Sequence, residues 1–418
     1  MPSVLSVLAR HRDFRRLFLA ELVVFGGDWF AVIPLMSLLV DLTGRGVWGG
    51  LALTADTLAL ALLLPYAGTV ADRLDRRRIV ITTSLVALLA VILLLGVRSA
   101  SLAWLGPAAI GVLGAAKAFY TPAAQAALPN LVPEEDLATA NAIAGSAWGT
   151  MLVVGASLGG VLAAAVGPYA CFLITAACLL AATWQVWRIR RPMQQGPWER
   201  PRPATVALRE ALGYMRRHPR VLSLVTVKSA VGVGNGVLGT FPLLAAGFGL
   251  GPAGNGLLFA ARGLGALTGP LLMRRILWRR AWLLPGLGVS MGVYGLAYLG
   301  VAASPWFALT LGLVVVAHIA GGGNWTMSNY ALQVEVPDAL RGRVFATDMM
   351  IATLAVSASL LAVSLLVDAV DPRVLVAGCA TATLVYAVVW RLLTRGQSLG
   401  GPGVAPGTGP VTPITGGA

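Results

Sequence analysis

The chain has 418 residues, of which 57% are hydrophobic and only 11% charged. Soluble domains carry about 25% charged residues, so a water-soluble globular protein is excluded; repeated apolar runs near the ~20 residues that cross a bilayer as helix indicate an all-α membrane protein. The net charge of +14 suggests nucleic acid at first sight, but the basic residues cluster in alternate loops, as membrane orientation requires, and no nucleic-acid partner is expected.

Twelve spans are predicted, at 18–42, 47–70, 79–97, 103–127, 138–166, 169–189, 221–247, 252–273, 281–303, 306–332, 344–368 and 373–394. Of the 31 Lys and Arg residues, 25 fall in the N-terminal segment, the even-numbered inter-span loops and the C-terminal end. That distribution places both termini in the cytoplasm and the chain, multi-pass, in the cytoplasmic (inner) membrane. The expected domains are an N-terminal six-helix bundle (1–190), a cytoplasmic linker (191–220), a C-terminal six-helix bundle (221–395) and a disordered tail (396–418). Within the linker, residues 204–217 read as an amphipathic helix whose basic face rests on anionic headgroups. The tail is rich in Gly, Pro and Thr.

Taken in order, span 1 carries Glu21 near one end and Asp28 near its middle, in Phe25-Gly26-Gly27-Asp28-Trp29-Phe30. A charge at the bilayer centre costs at least ~2.5–3.5 kcal/mol, so it needs a partner or a function. Two glycines leave backbone space beside Asp28. Its carboxylate reads either as a proton acceptor and cation-recognition group or as a structural ion pair with Lys117 of span 4 or another cavity base. Asp56 of span 2 reads either as a functional carboxylate or as a structural hydrogen-bonding group. Lys117, Lys228 (span 7) and Arg262 (span 8) either neutralise these acids or bind an anionic substrate. His318 (span 10) reads as hydrogen-bonded packing or a proton relay. Asn235 of span 7 and Asp348 of span 11 complete the set. Spans 3, 6, 9 and 12 have no charge in their apolar interiors.

Between spans 2 and 3 runs Gly68-Thr69-Val70-Ala71-Asp72-Arg73-Leu74-Asp75-Arg76-Arg77-Arg78. Gly68 permits close backbone approach at a helix end. Asp72 suits a helix N-terminus or a guanidinium partner. In span 5, Gly155, Gly159 and Gly160 permit close helix packing. The pairing Gly68-x-x-x-Asp72-Arg73 with Gly269-x-x-x-Met273-Arg274, Leu128 to Pro133 with Leu332 to Pro337, and Gly27-Asp28 with Gly234-Asn235 suggests a duplicated six-helix unit. The two Gly-x-Gly-x-x-Gly stretches, 234–239 and 249–254, follow no strand. Neither a Walker A loop nor a His/Cys cluster is present in the sequence, so no cofactor, metal site or enzymatic activity is expected.

The stretch at 68–78 resembles the loop between helices 2 and 3 of the major facilitator superfamily, with Asp75 standing where the pattern has glycine. The closer resemblance is to its macrolide and enterobactin exporters. It is carried by that stretch with Asp13-Phe14-Arg15-Arg16-Leu17, Gly27-Asp28, Pro122, Leu128-Pro129-x-x-Val132-Pro133, Ala140-Asn141 and Arg341-Gly342-Arg343-Val344-Phe345. It implies two pseudo-symmetric six-helix bundles, with spans 3, 6, 9 and 12 facing lipid and the others around a central cavity. It further implies a secondary active transporter. The expectation is proton-coupled export (antiport) of a hydrophobic, drug-like solute by alternating access. The alternatives are a siderophore, lipid-like or other anionic metabolite, or a non-transporting sensor or scaffold. Gly68, Asp72, Arg73, Arg76, Arg77, Arg343 and Asp348 would form the conformational gate. The expected partners are a small-molecule substrate, protons and membrane lipids, and the protein is expected to be a monomer.

Overall fold

In the computed structural model, residues 4–194, 203–277 and 282–397 are described. The tail from 398 onward, residues 195–202 of the linker and the side chain of Asp72 lie outside that description, as do the side chains of 145–148, 274–277 and 338–339. Among the described residues, twelve helices are long and apolar enough to cross a membrane.

A short helix α1 (Val4–Arg10) precedes the first half, which comprises α2 (Arg12–Thr43), α3 (Val47–Arg73), α4 (Arg76–Leu94), α5 (Leu105–Leu131), α6 (Glu134–Val166) and α7 (Pro168–Trp187). The amphipathic α8 (Ala204–Arg217) leads into α9 (Pro219–Gly234) and α10 (Phe241–Gly247). There follow α11 (Gly251–Leu277), α12 (Leu283–Ala303), α13 (Phe307–Glu335), α14 (Asp338–Leu366) and α15 (Pro372–Leu393).

Helix ends follow local chemistry. Asp75, the departure from the family pattern, caps α4: its side chain accepts from the Arg78 amide at 3.1 Å. That cap starts the helix at Arg76, three residues before the predicted span. Pro133 and the acidic run Glu134, Glu135, Asp136 start α6 four residues early. Gly44 ends α2 in the left-handed region at φ 65°.

The seventh span, expected as one helix, is broken. Residues Asn235–Thr240 form a 3-10 segment between α9 and α10. The segment is rich in glycine, which favours helix weakly. A side chain at Gly236 would stand 2.9 Å from the Ser359 carbonyl of α14.

Among the described residues, helices α4, α7, α12 and α15 pack chiefly within their own halves. They turn residues such as Leu89, Leu180, Val289 and Val388 outward. The halves meet through α3 against α14 and α6 against α11. Ser357 Oγ donates to Thr57 Oγ1 at 2.9 Å. Near the face opposite the N-terminus, Asp368 accepts from the Gly46 amide at 2.5 Å and from Arg45 Nε at 3.1 Å. Gly155 and Gly159 pack on α2, where an added Cβ would lie 3.1 Å from the carbonyls of Gly26 and Trp29. Gly160 faces α11 instead: its Cβ would lie 2.8 Å from Gly256 Cα and 2.7 Å from the Pro252 carbonyl.

That backbone contact cannot yield cheaply. Gly160→Val is expected to cost ~1–3 kcal/mol by overpacking. The outcome is a lower unfolding midpoint in detergent and faster maleimide labelling of a cysteine placed at Ser364. Wild-type values for both would contradict the contact.

Candidate functional site

Three clusters of polar side chains lie within the helical core. The first is built from α2, α3 and α5. Gly114 of α5 permits close approach to α3: a Cβ there would lie 2.9 Å from Asp56 Cα. One turn further along, Lys117 donates to Asp28 Oδ2 and forms a second ion pair with Asp56 Oδ1 at 2.7 Å. All three side chains are at most 16% exposed. Two carboxylates thus share one ammonium, which leaves one net negative charge when all three are ionised. The other oxygen of Asp28, Oδ1, is buried with no hydrogen-bond partner among the described residues. The space beside Gly26 and Gly27, expected to be open next to Asp28, is taken by neighbouring helices. Met151 Sδ of α6 would lie 3.0 Å from a Cβ at Gly26, and Thr175 Cγ2 of α7 3.1 Å from one at Gly27.

The second cluster ties α9 to α13 and α14. Lys228 and Asp348 are fully buried and ion-paired, and Lys228 Nζ donates to Asn329 Oδ1 at 2.7 Å. The ammonium also lies 5.0 Å from the Trp325 ring. Sequence reasoning put Lys228 in the cavity and Asp348 in the gate; the fold joins them in one pair.

The third cluster surrounds Arg262 of α11. Its guanidinium stands 5.8 Å from the Trp29 ring of α2, across the halves. His318 Nε2 is 2.8 Å from Tyr298 Oη, and Tyr294 Oη donates to Asn235 Oδ1 at 3.3 Å. A Cβ at Gly265 would lie 2.7 Å from His318 Cβ, so that glycine is what lets α13 bring the imidazole in.

The expected gate residues divide. Among the described residues, nothing lies within 4 Å of a Cβ added at Gly68. Arg73 is exposed. Arg76 donates to the Ala126 carbonyl at 2.7 Å, and Arg77 to the Trp187 carbonyl. Both therefore brace α4 against α5 and α7 within the first half. Arg343 pairs with Glu210 of α8. Three contacts escaped sequence reasoning: Asp368 with Arg45 and Gly46, His11 with Asp136 at 2.7 Å, and Asp13 accepting from the Arg191 amide at 3.0 Å. Each joins loops or helix ends remote in sequence; only the Asp13 motif carried a signal. Among the described residues, no group of three His, Cys, Asp or Glu could hold a metal ion.

A sequence model of the Major Facilitator Superfamily matches residues 17–346. The multidrug efflux pump Tap of Mycolicibacterium fortuitum is 26% identical over 350 residues, covering 78% of this chain and 82% of that protein. The enterobactin exporter EntS of Salmonella typhi is 26% identical over 352 residues, covering 81% of this chain and 82% of that protein. Among solved structures, an auto-inhibited POT family peptide transporter superposes with a TM-score of 0.75 at 12% identity, over 92% of this chain and 97% of that one. A bacterial homologue of the human lysosomal transporter Spinster, inward-facing and unoccupied, gives 0.71 at 15%, over 92% and 97%.

Removing one partner of the buried Lys228–Asp348 pair leaves a charge uncompensated. Lys228→Met is expected to lower stability by ~3–5 kcal/mol, and Lys228→Met with Asp348→Leu to recover most of it. A double-mutant cycle of unfolding in detergent measures this; additive losses would contradict the pairing.

Proposed function

The chain belongs to the major facilitator superfamily, and from that premise we propose that this multi-pass membrane transporter is a proton-coupled exporter of a hydrophobic, drug-like solute. The observation that carries the reading is the ammonium of Lys117 shared by Asp28 and Asp56. One carboxylate is in excess there, inside a low-dielectric core where like charges repel strongly. A proton on Asp28 or Asp56 neutralises the cluster, and so does a cationic solute. The two therefore compete for one site, which is the requirement for antiport. We assign the proton to Asp28, whose Oδ1 is buried without a hydrogen-bond partner among the described residues.

The two units, 1–190 and 221–395, rock about the solute site. With the basic loops and both termini in the cytoplasm, the face closed by Asp368, Arg45 and Gly46 points outward. On the resemblance to the superfamily, the loop at 68–78 gates the opposite face. Asn235, Arg262 and His318 line the second half of the path, and Lys228 with Asp348 holds that half together. The Tap and EntS proteins, by name an efflux pump and an exporter, support export over uptake. A one-for-one exchange of a monovalent cationic solute for a proton moves no net charge, so it is driven by the pH gradient alone, about 1.4 kcal/mol or roughly a tenfold solute gradient per pH unit.

A second reading is export of an anionic solute, favoured by Arg262 facing Trp29 across the halves. Salt-sensitive binding of an anionic ligand, lost with Arg262→Gln, would favour it.

Efflux from proteoliposomes against a compound panel, with and without an imposed pH gradient, tests the proposal. The wild type is expected to accumulate solute only with the gradient. Asp28→Asn is expected to lose uphill transport by at least about tenfold while retaining solute exchange without a gradient. Full pumping by that variant would remove Asp28 from the mechanism.

A further inference from the structure

At the seam between the halves stands a buried amide with nothing to bond. Asn255, early in α11, has no exposed surface, and neither its Oδ1 nor its Nδ2 has a hydrogen-bond partner among the described residues. No other buried amide side chain among them lacks partners at both atoms. A carboxamide taken out of water without replacement bonds is costly, and the cost falls on whichever state of the molecule buries it. Buried polar groups are nearly always paired, so an orphan of this kind calls for a physical account.

The surroundings locate it. Gly254 packs on its own half, where an added Cβ would lie 3.0 Å from Ala245 Cβ of α10. Gly256 packs on the other half, where one would lie 2.6 Å from the Ala156 carbonyl of α6. Asn255 lies between these two directions, on the face it shares with Phe259 and Arg262, one and two turns further along. That face meets α2 of the first half: the Phe259 ring is 5.3 Å from the Trp29 ring, and the Arg262 guanidinium 5.8 Å from it. Helix α10 reaches the first half as well, through Leu243, whose Cδ1 would lie 2.8 Å from a Cβ at Gly46, beside the Asp368 contact. Asn255 is thus buried by closure of the same face that Asp368, Arg45 and Gly46 fasten.

We propose that Asn255 is a built-in opposing group at that closure: its unpartnered amide destabilises the closed face, and parting of the halves relieves it by admitting water. The inference rests on the reading that the two units rock about the solute site. Such a motion requires closed and open states near enough in free energy for solute and proton to select between them. The closed face gains the Asp368 bonds to Arg45 and Gly46, the Ser357–Thr57 bond and the close contact of Gly160 with Gly256. With no opposing term these contacts would hold it shut. An amide suits the purpose because it is uncharged. Its cost is independent of pH, and it does not compete with Asp28 and Asp56 for Lys117.

The test uses the full chain in proteoliposomes carrying Ser364→Cys, a position that faces Gly50 of the first half at the closed face. A water-soluble maleimide is present on both sides of the bilayer, and the chain without the added cysteine gives the background. Asn255→Leu, similar in shape but apolar, is expected to slow labelling at least about fivefold and to raise the unfolding midpoint. Asn255→Ala, which removes the amide without adding bulk, is expected to slow labelling too. Where the two variants differ, Asn255→Ala decides, since overpacking by leucine opens the seam for a separate reason. Equal labelling with and without the amide, the behaviour of a group satisfied by trapped water, would overturn the proposal and leave the rocking of the halves intact. Faster labelling of Asn255→Ala would overturn it as well, because the amide would then hold the face shut. No labelling of the added cysteine in any of the three chains would overturn the parting of the halves at this face, and the proposal with it.

Discussion

One ammonium between two carboxylates organises the first half of this molecule. Lys117 reaches Asp28 on α2 and Asp56 on α3, so three helices are tied at a single point. In a bilayer the tie is enforced, since each charge alone would be costly at that depth. Yet the arrangement is deliberately short of one positive charge. A fully matched pair would be inert; the excess carboxylate gives the core a state that depends on what else enters it. The remaining features serve this point, from Gly114, which brings α3 and α5 together, to the packing of α6 on α2 that fills the far side of the glycine pair.

The second half shows the contrast. Its buried pair, Lys228 with Asp348, is balanced and further satisfied by Asn329. Where the repeat places Asp28 in the first half, the second has Asn235, an amide bonded to Tyr294. On the proposed function, the second half's balanced pair serves cohesion and the first half's unbalanced cluster serves charge exchange. Small-residue contacts at Gly160 and Gly256, with the polar bridge at Asp368, join the two on one face. Polar latches and backbone contacts of that kind separate at lower cost than an interlocked apolar core, which suits surfaces that must part.

Much of this was legible in the sequence because a bilayer restricts the alternatives. Apolar runs of sufficient length have to be helices, and the charge-free third spans are the ones that pack within their own halves and turn apolar residues outward. The Lys117–Asp28 pair was foreseeable from charge scarcity, since few partners exist. Its third member was not, because nothing local to Asp56 distinguishes an ion pair from a hydrogen bond. The union of Lys228 with Asp348 spans 120 residues and follows from helix rotation, which apolar periodicity defines poorly when helices are apolar all round. Glycines misled in a consistent way. Next to Asp28 they leave no open space, since Met151 and Thr175 of neighbouring helices fill it. The break at Asn235–Thr240 was hidden because membrane helices tolerate glycine without necessarily breaking at it.

The central claim is that solute and proton exclude one another at a cluster with one carboxylate in excess. The most direct measurement is the proton count on solute binding to purified protein in weakly buffered detergent, read with an indicator dye. The account predicts release of about one proton per chain when a cationic solute saturates the site, by simple linkage, and none from a chain lacking both Asp28 and Asp56 carboxylates. Tight solute binding by the wild type without proton release, or equal release from the chain without those carboxylates, would contradict it.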